Sequence, residues 1–105
     1  MQDRLASLQE LLAESPNDAF ILFAIAKEYS INGDPNRAKS YYLRLKEAHP
    51  EYIGLYYHLG KLEQQSGSPQ EAIRIFEEGM RVAKSIGDQH AWSELSAALM
   101  ELRED

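Results

Sequence analysis

Residues 33–42, GDPNRAKSYY, and residues 67–76, GSPQEAIRIF, place a Gly, a Pro, an Ala and an aromatic in the same order, 34 residues apart. A chain of 105 residues that repeats itself at this interval is restricted to architectures assembled from copies of one small unit. Pro16 and Pro50 stand at the same interval, and Leu8, Tyr42 and Phe76 form a series at it. The same offset lays Leu22, Ile25, Ala26 and Tyr29 on Tyr56, Leu59, Gly60 and Glu63. Size and polarity persist at set positions, while identity does not.

Leu5, Leu8, Leu11 and Leu12 recur at helical spacing among polar residues, which predicts a first helix over about 2–13. Ser15, Pro16, Asn17 and Asp18 stop it. A second helix, to about residue 31, is apolar around most of its circumference, with Phe20, Ile21, Leu22, Phe23, Ile25, Ala26 and Tyr29. Such a helix lies between others. In Asn32-Gly33-Asp34-Pro35, Gly33 can take the left-handed conformation that closes a helix. Asp34 can cap the next helix, and Pro35 suits its first position, where no N–H is needed. That third helix runs to about residue 48, and His49-Pro50 ends it. A fourth is expected from residue 51 or 52 to Ser66-Gly67. Ser68-Pro69-Gln70-Glu71 reads as a capping box opening a fifth helix to about residue 86. Gly87 and Asp88 close it and cap a sixth. There Ala91, Trp92, Leu95, Leu99 and Leu102 form one narrow apolar stripe, while Ser93, Glu94, Ser96 and Glu101 face elsewhere. No segment reads as a strand, and short connections between six helices predict antiparallel neighbours.

Two antiparallel helices pack closely where small residues let their backbones meet. Ala26 or Gly60 supplies the small residue on the first helix of each pair, and Ala38 or Ala72 on the second. Ile25, Tyr29, Leu59, Tyr42 and Phe76 fill the space beside them. One such pair cannot bury its outer face alone, so pairs stack.

This pattern resembles the tetratricopeptide repeat, a 34-residue helix–turn–helix. One unit reads Leu22-x-x-Ile25-Ala26-x-x-Tyr29, then Ala38-x-x-x-Tyr42, then Pro50. The next reads Tyr56-x-x-Leu59-Gly60-x-x-Glu63, then Ala72-x-x-x-Phe76. Glu63 replaces the family's aromatic, and Lys84 stands in place of the second Pro, so the fifth helix is expected to outrun the third. The resemblance implies an all-α solenoid of antiparallel helix pairs, about six helices in a right-handed superhelical stack. Its divisions would be a half-repeat at 2–16, repeats at 17–50 and 51–84, and a capping helix at 85–105.

Composition narrows the partners. The chain is 44% hydrophobic and 27% charged, a globular profile. Its net charge of -6 argues against duplex nucleic acid and anionic membrane surfaces, both of which need a basic stripe. There is no cysteine, hence no disulfide framework or thiolate metal site, which suits a cytoplasmic location. No apolar run approaches the roughly 20 residues that span a bilayer, and the first residues do not read as a signal peptide.

Chemistry is hard to find. His49, His58 and His90 form no i, i+4 pair and have no cysteine beside them, so no metal or other cofactor is expected. Glu77-Glu78 and Glu101 with Glu104 read as solvated helix faces. The glycines at 33 and 67 are accounted for by turns, and no Ser/His/Asp arrangement is legible. No catalytic residue is assigned, and the chain reads as a non-enzyme.

In arrays of the family that this chain resembles, the first helix of each pair lines the concave face where ligands dock. Here that stripe would carry Phe20, Phe23, Lys27 and Ser30, then Gly54, Tyr57, Lys61 and Gln64 with His58 beside them. Spacing agrees, since Phe20, Phe23 and Lys27 lie three and four apart, off the Leu22, Ile25, Ala26 and Tyr29 face. Phe23 registers with Tyr57 and Lys27 with Lys61, a basic and apolar slot suited to a peptide or partner helix with an apolar anchor and a carboxylate. Some members clamp a C-terminal carboxylate with Lys, Asn and Arg over three units, and that set is incomplete here. A reading of another class is a self-associating scaffold, a homodimer through the Leu-rich first helix, should Leu5, Leu8 or Leu12 be exposed.

Overall fold

A computed structural model of the chain describes residues 3–103. Among these residues there are six helices and no strand: α1 Asp3–Glu14, α2 Ala19–Ile31, α3 Pro35–Ala48, α4 Gly54–Gln65, α5 Pro69–Ile86 and α6 Gln89–Arg103. Gln2, expected at the start of the first helix, and Glu104 lie outside the described residues. The helices fall into two compact units, one reaching His49 and one beginning at Pro50.

Three elbows turn the chain by one device. Gly33, Gly67 and Gly87 adopt φ of 82°, 85° and 75°, the left-handed region that a side chain resists. Behind each glycine the next N–H reaches back five residues: Asp34 to the Tyr29 carbonyl at 2.9 Å, Ser68 to Glu63 at 2.8 Å and Asp88 to Ala83 at 2.9 Å. The glycine N–H itself reaches back three, to Ser30, Gln64 and Lys84, each at 3.2 Å. This is the Schellman closure, which satisfies carbonyls that a helix end leaves unpaired. Asp34 and Asp88 then begin the following helix, accepting from the N–H of Arg37 at 3.1 Å and of Ala91 at 3.0 Å.

The middle elbow departs from the expected capping box. Ser68 makes no side-chain cap. Its own N–H is already spent on Glu63, so Glu71 has no donor to reach back to. Glu71 instead accepts from Arg74 at 2.9 Å. The fourth helix also starts later than expected, at Gly54 rather than 51 or 52. Nothing between Pro50 and Gly54 offers a capping side chain, and the chain enters through a tight turn, Leu55 N–H to the Tyr52 carbonyl at 3.2 Å.

In the first unit α2 packs on α3 and on α1. Leu22, Ile25, Ala26, Ala38 and Leu45 are wholly buried there, with Tyr42 at 2% exposure. Arg44 of α3 and His49, which caps its end, tie down the loop between α1 and α2: Arg44 Nη2 donates to the Pro16 carbonyl at 3.0 Å, and His49 Nε2 donates to that of Asn17 at 2.6 Å. In the second unit α4 packs on α5, and α6 packs on both. Leu55, Tyr56, Ala72, Phe76 and Ala83 are wholly buried, with Leu59 and Leu95 nearly so. Of the expected α6 stripe, Leu95 and Leu99 are buried while Ala91, Trp92 and Leu102 are half-buried, and Ala98 joins the core instead. The extra turn of α5, 18 residues against the 14 of α3, carries α6 to this position.

Two glycines mark close approaches. A Cβ at Gly60 would lie 2.3 Å from Phe76 Cε1, and one at Gly79 would lie 2.6 Å from Tyr56 Cβ and 3.0 Å from Leu95 Cδ1. Gly60 was legible as the small residue of its unit, and Gly79 was not.

Candidate functional site

The residues singled out for partner binding divide between the two units, and each unit builds its share in the same way. In the first, Phe23 lies half-buried on α2 with its edge toward the buried Tyr42, ring centroids 6.1 Å apart at 63°. Lys27, one turn on, is exposed and holds its Nζ 5.6 Å from the Phe23 ring centroid. In the second, Tyr57 lies half-buried on α4 against the buried Phe76, centroids 6.4 Å apart. Lys61, one turn on, holds its Nζ 6.0 Å from the Tyr57 centroid. Each unit thus presents a buried aromatic, a half-buried aromatic resting on it and a lysine over that ring. A cation over a ring face is held by the ring's quadrupole, which keeps the lysine stem on the apolar surface and its charge in water.

The remaining expected residues flank these pairs. Phe20 stands in solvent at 67% exposure on the first turn of α2, and Ser30 is exposed on its last. His58 is half-buried and meets Tyr57 edge-on, 5.6 Å between centroids at 87°. Gln64 is half-buried, and its Oε1 is shielded from solvent without a hydrogen bond from the described residues. Gly54 is the first residue of α4.

Sequence reasoning missed one wall. Tyr57 opens onto a cleft whose other side is α6, lined by Glu94, Ala97, Ala98 and Glu101. The two alanines make it shallow and apolar, and the two carboxylates border it. Glu94 also pairs with His90, Oε2 to Nε2 at 3.3 Å. These residues stand on a different helix from Tyr57, and neither the spacing within a helix nor the repeat interval reports which side chains of another helix face it.

The leucines on which association through α1 depends are mostly covered. Leu8 and Leu12 are buried at 7% and 6% exposure, Leu5 is half-buried, and the exposed leucine of this helix is Leu11. Among the described residues no group of three or more His, Cys, Asp or Glu could hold a metal ion. No described helix is long and apolar enough to cross a membrane. Glu77, read as solvated, forms an ion pair with Arg103.

Comparison with known proteins agrees with the repeat. A family profile described as Tetratricopeptide repeat matches residues 21–52 and 53–86, together more than half of the chain. A TPR repeat-containing protein of Pseudomonas aeruginosa is 31% identical over 98 residues, 93% of this chain and 93% of that protein. Among solved structures, a tetratricopeptide repeat domain protein from Salinibacter ruber is 36% identical with a TM-score of 0.79, over 83% of this chain and 88% of that one. A protein from Bordetella parapertussis, 27% identical, has a TM-score of 0.87 over 99% of this chain and 90% of that one. With two helix pairs in a 34-residue register, the same elbow in each and these relatives, the chain belongs to the tetratricopeptide repeat family.

Proposed function

We propose that this chain is a non-catalytic protein-interaction module that takes a peptide or partner helix through two like sites, Phe23 with Lys27 on α2 in one unit and Tyr57 with Lys61 on α4 in the other. Tetratricopeptide repeats mediate protein–protein interaction, and members of the family are generally non-catalytic scaffolds. The observation that carries the finer reading is the duplicated pair: a lysine 5.6 Å and 6.0 Å from an aromatic centroid at one register position of each unit. Core packing alone requires the aromatic to rest on Tyr42 or Phe76, but it does not require a cation over the ring each time. Phe20 and Ser30 extend the site of the first unit, and His58 and Gln64 that of the second. We take the repeats as 17–50 and 51–84, flanked by the half-repeat and the capping helix, so that each contributes one pair.

The chemistry of the face specifies the partner. An apolar side chain would displace water from the half-buried rings, and a carboxylate would answer the lysines. Glu94 and Glu101, which border the Tyr57 cleft, would repel a carboxylate from that side and favour a cation there.

The test is affinity capture from the source cell with the wild-type chain and with the Lys27→Glu, Lys61→Glu double variant, followed by titration of the recovered partner. Lys27 is exposed and Lys61 half-buried, and neither belongs to the core, so the variant should keep its helical circular dichroism. Loss of the partner, with affinity reduced about ten-fold or more, is the expected result for two charge-assisted contacts. Equal recovery by a folded variant removes this face from the assignment.

A further inference from the structure

Charge is unevenly distributed among the helices. Helix α3 carries Arg37, Lys39, Arg44 and Lys46 against the single acid Glu47, a net +3 in a chain of net -6. Counting Lys and Arg against Asp and Glu, α2, α4 and α5 balance, while α1 and α6 are negative. Core packing does not account for this concentration, because the buried residues of α3 are Ala38, Tyr42 and Leu45.

The basic face is also shaped. Tyr29, Arg37, Ser40, Tyr41 and Arg44 line one cleft within the first unit. The rings of Tyr29 and Tyr41 stack 5.7 Å apart at 22°, both half-buried. Arg37 holds its guanidinium carbon 5.9 Å from the Tyr29 centroid, and Arg44 holds its own 5.6 Å from that of Tyr41. Gln9 of α1 donates its amide to both phenol oxygens at 3.4 Å, which fixes the pair and leaves each hydroxyl its proton to donate. Arg37 shares one nitrogen with Asp34 at 3.4 Å, and Arg44 shares one with the Pro16 carbonyl at 3.0 Å. Each arginine has further N–H groups, because a guanidinium carries five. The cleft therefore offers two guanidiniums, which can only donate, together with two phenols and the exposed Ser40 hydroxyl, which can donate as well.

We propose that this face of α3 is a second docking surface, apart from the α2 and α4 residues above, and that its occupant is a short acidic segment of a partner protein. Its carboxylates sit between Arg37 and Arg44, where guanidinium forks match carboxylate geometry. Its apolar side chains lie on the tyrosine rings and on the exposed Leu43, at 45% exposure one residue before Arg44. A short segment is favoured over an extended polyanion by the charge distribution. A helix of 14 residues is about 21 Å long, so an extended polyanion finds an excess of cations over that length alone, and the chain outside α3 is net negative.

Ser40→Glu tests this without weakening the helix. The new carboxylate stands three residues from Arg37 and four from Arg44, pairs that support a helix while occupying the cleft. The probe is a short acetylated and amidated peptide of repeated Asp-Glu-Leu units, with repeated Asn-Gln-Leu as the neutral control, titrated into nitrogen-15-labelled protein. The expected result is amide shifts at Arg37, Ser40, Tyr41 and Arg44 with the acidic peptide, none with the neutral one, and affinity lowered about ten-fold in Ser40→Glu. Arg37→Gln, at an exposed position, should lower it in the same direction should Ser40→Glu not fold. Unchanged binding by the folded variants overturns the proposal, as do shifts centred on Phe23, Lys27, Tyr57 and Lys61. So does tighter binding of phosphatidylserine vesicles or a single-stranded oligonucleotide to the α3 residues.

Discussion

At one pair of register positions the first unit places Leu22 and Leu45, and the second places Tyr56 and Gly79; all four residues are buried. Two residues of middling size in one unit correspond to a large and a very small one in the other. The cause lies in the helix that flanks the α2–α3 pair in one unit and the α4–α5 pair in the other. In the first, α1 packs on α2; in the second, α6 packs on α5 and drives Leu95 into the junction of α4 and α5. Gly79 leaves room there for both Tyr56 and Leu95. The repeat therefore preserves the filling of a volume, not a residue, and the filling adjusts to whichever helix lies alongside.

The sharpest way to break this comparison is to restore a side chain at Gly79. Its Cβ would lie 2.6 Å from the Cβ of Tyr56, an atom that no rotamer change can move. The helices would have to part. Gly79→Ala should cost about 3 kcal/mol of packing, less the ~1 kcal/mol that alanine returns in helix propensity. Tyr56→Leu should not rescue it, since leucine keeps the offending atom. Urea denaturation of the single and double variants measures both statements, and a Gly79→Ala chain as stable as wild type would refute the close approach.

Gly60 offers the same test against a softer obstacle. Its Cβ would meet the rim of the Phe76 ring, Cε1 at 2.3 Å and Cζ at 2.8 Å. A ring can tilt, so Gly60→Ala should cost less, about 1 kcal/mol net of propensity. Phe76→Leu should relieve part of it, with a coupling of roughly 0.5–1 kcal/mol in a double-mutant cycle. The first unit has Ala26 and Tyr42 at these positions, so its backbones already accommodate the methyl group. Additive double variants would mean that the ring and the glycine are not in contact.

These contrasts show what the sequence could disclose. The elbows were legible because each is written in residues with one conformational use: Gly for positive φ, Asp for a cap, Pro for a first turn. The start of α4 was not, because Glu51, Tyr52 and Ile53 include no such residue and Gly54 is not at positive φ. The Ser68 capping box was read from spacing alone, and spacing cannot reveal that the Ser68 N–H already closes the preceding helix. At the candidate site, Phe23 with Lys27 and Tyr57 with Lys61 were legible because helical spacing and repeat register point to the same positions. Glu94, Ala97 and Ala98 were not, because they meet Tyr57 across two helices, a contact that neither helical spacing nor the repeat interval reports. The α3 cleft was hidden for another reason: the stack of Tyr29 on Tyr41 joins two helices, and no periodicity within one helix reports it.

A smaller effect is confined to alkaline solution and compares the two buried phenols. Burial pushes Tyr42 well above the ordinary phenol value of 10.0. Tyr56 is pushed up to about 12, by burial first and then by the carboxylates of Glu78 and Glu51. Both groups hold their protons in the folded chain after the unfolded chain has released them. Their contribution is therefore complete below pH 10.0 and is lost as pH rises through the folded values. The denaturation midpoint should fall between pH 10 and pH 12, and Tyr56→Phe should flatten part of that slope. A midpoint that is level across this range would mean that both phenols titrate normally in the fold.

The smallest effects separate the elbows themselves. Asp34 and Asp88 each accept the N–H three residues on, at 3.1 Å and 3.0 Å, whereas Ser68 accepts none. Asp34→Ala and Asp88→Ala should each cost about 1 kcal/mol, the ordinary value of a lost cap. Ser68→Ala should leave stability within a few tenths of a kcal/mol, since the work of that elbow is done by Gly67 and by the Ser68 backbone, which alanine keeps. Ser68→Asp gives the middle elbow the carboxylate its neighbours have. With the backbone already at φ -118°, ψ 69°, close to Asp34 at φ -118°, ψ 76°, the new side chain finds the same donor and should raise stability by up to about 1 kcal/mol. Thermal melts of the four variants rank them, and a Ser68→Ala loss equal to that of Asp34→Ala would show that the middle elbow is capped after all.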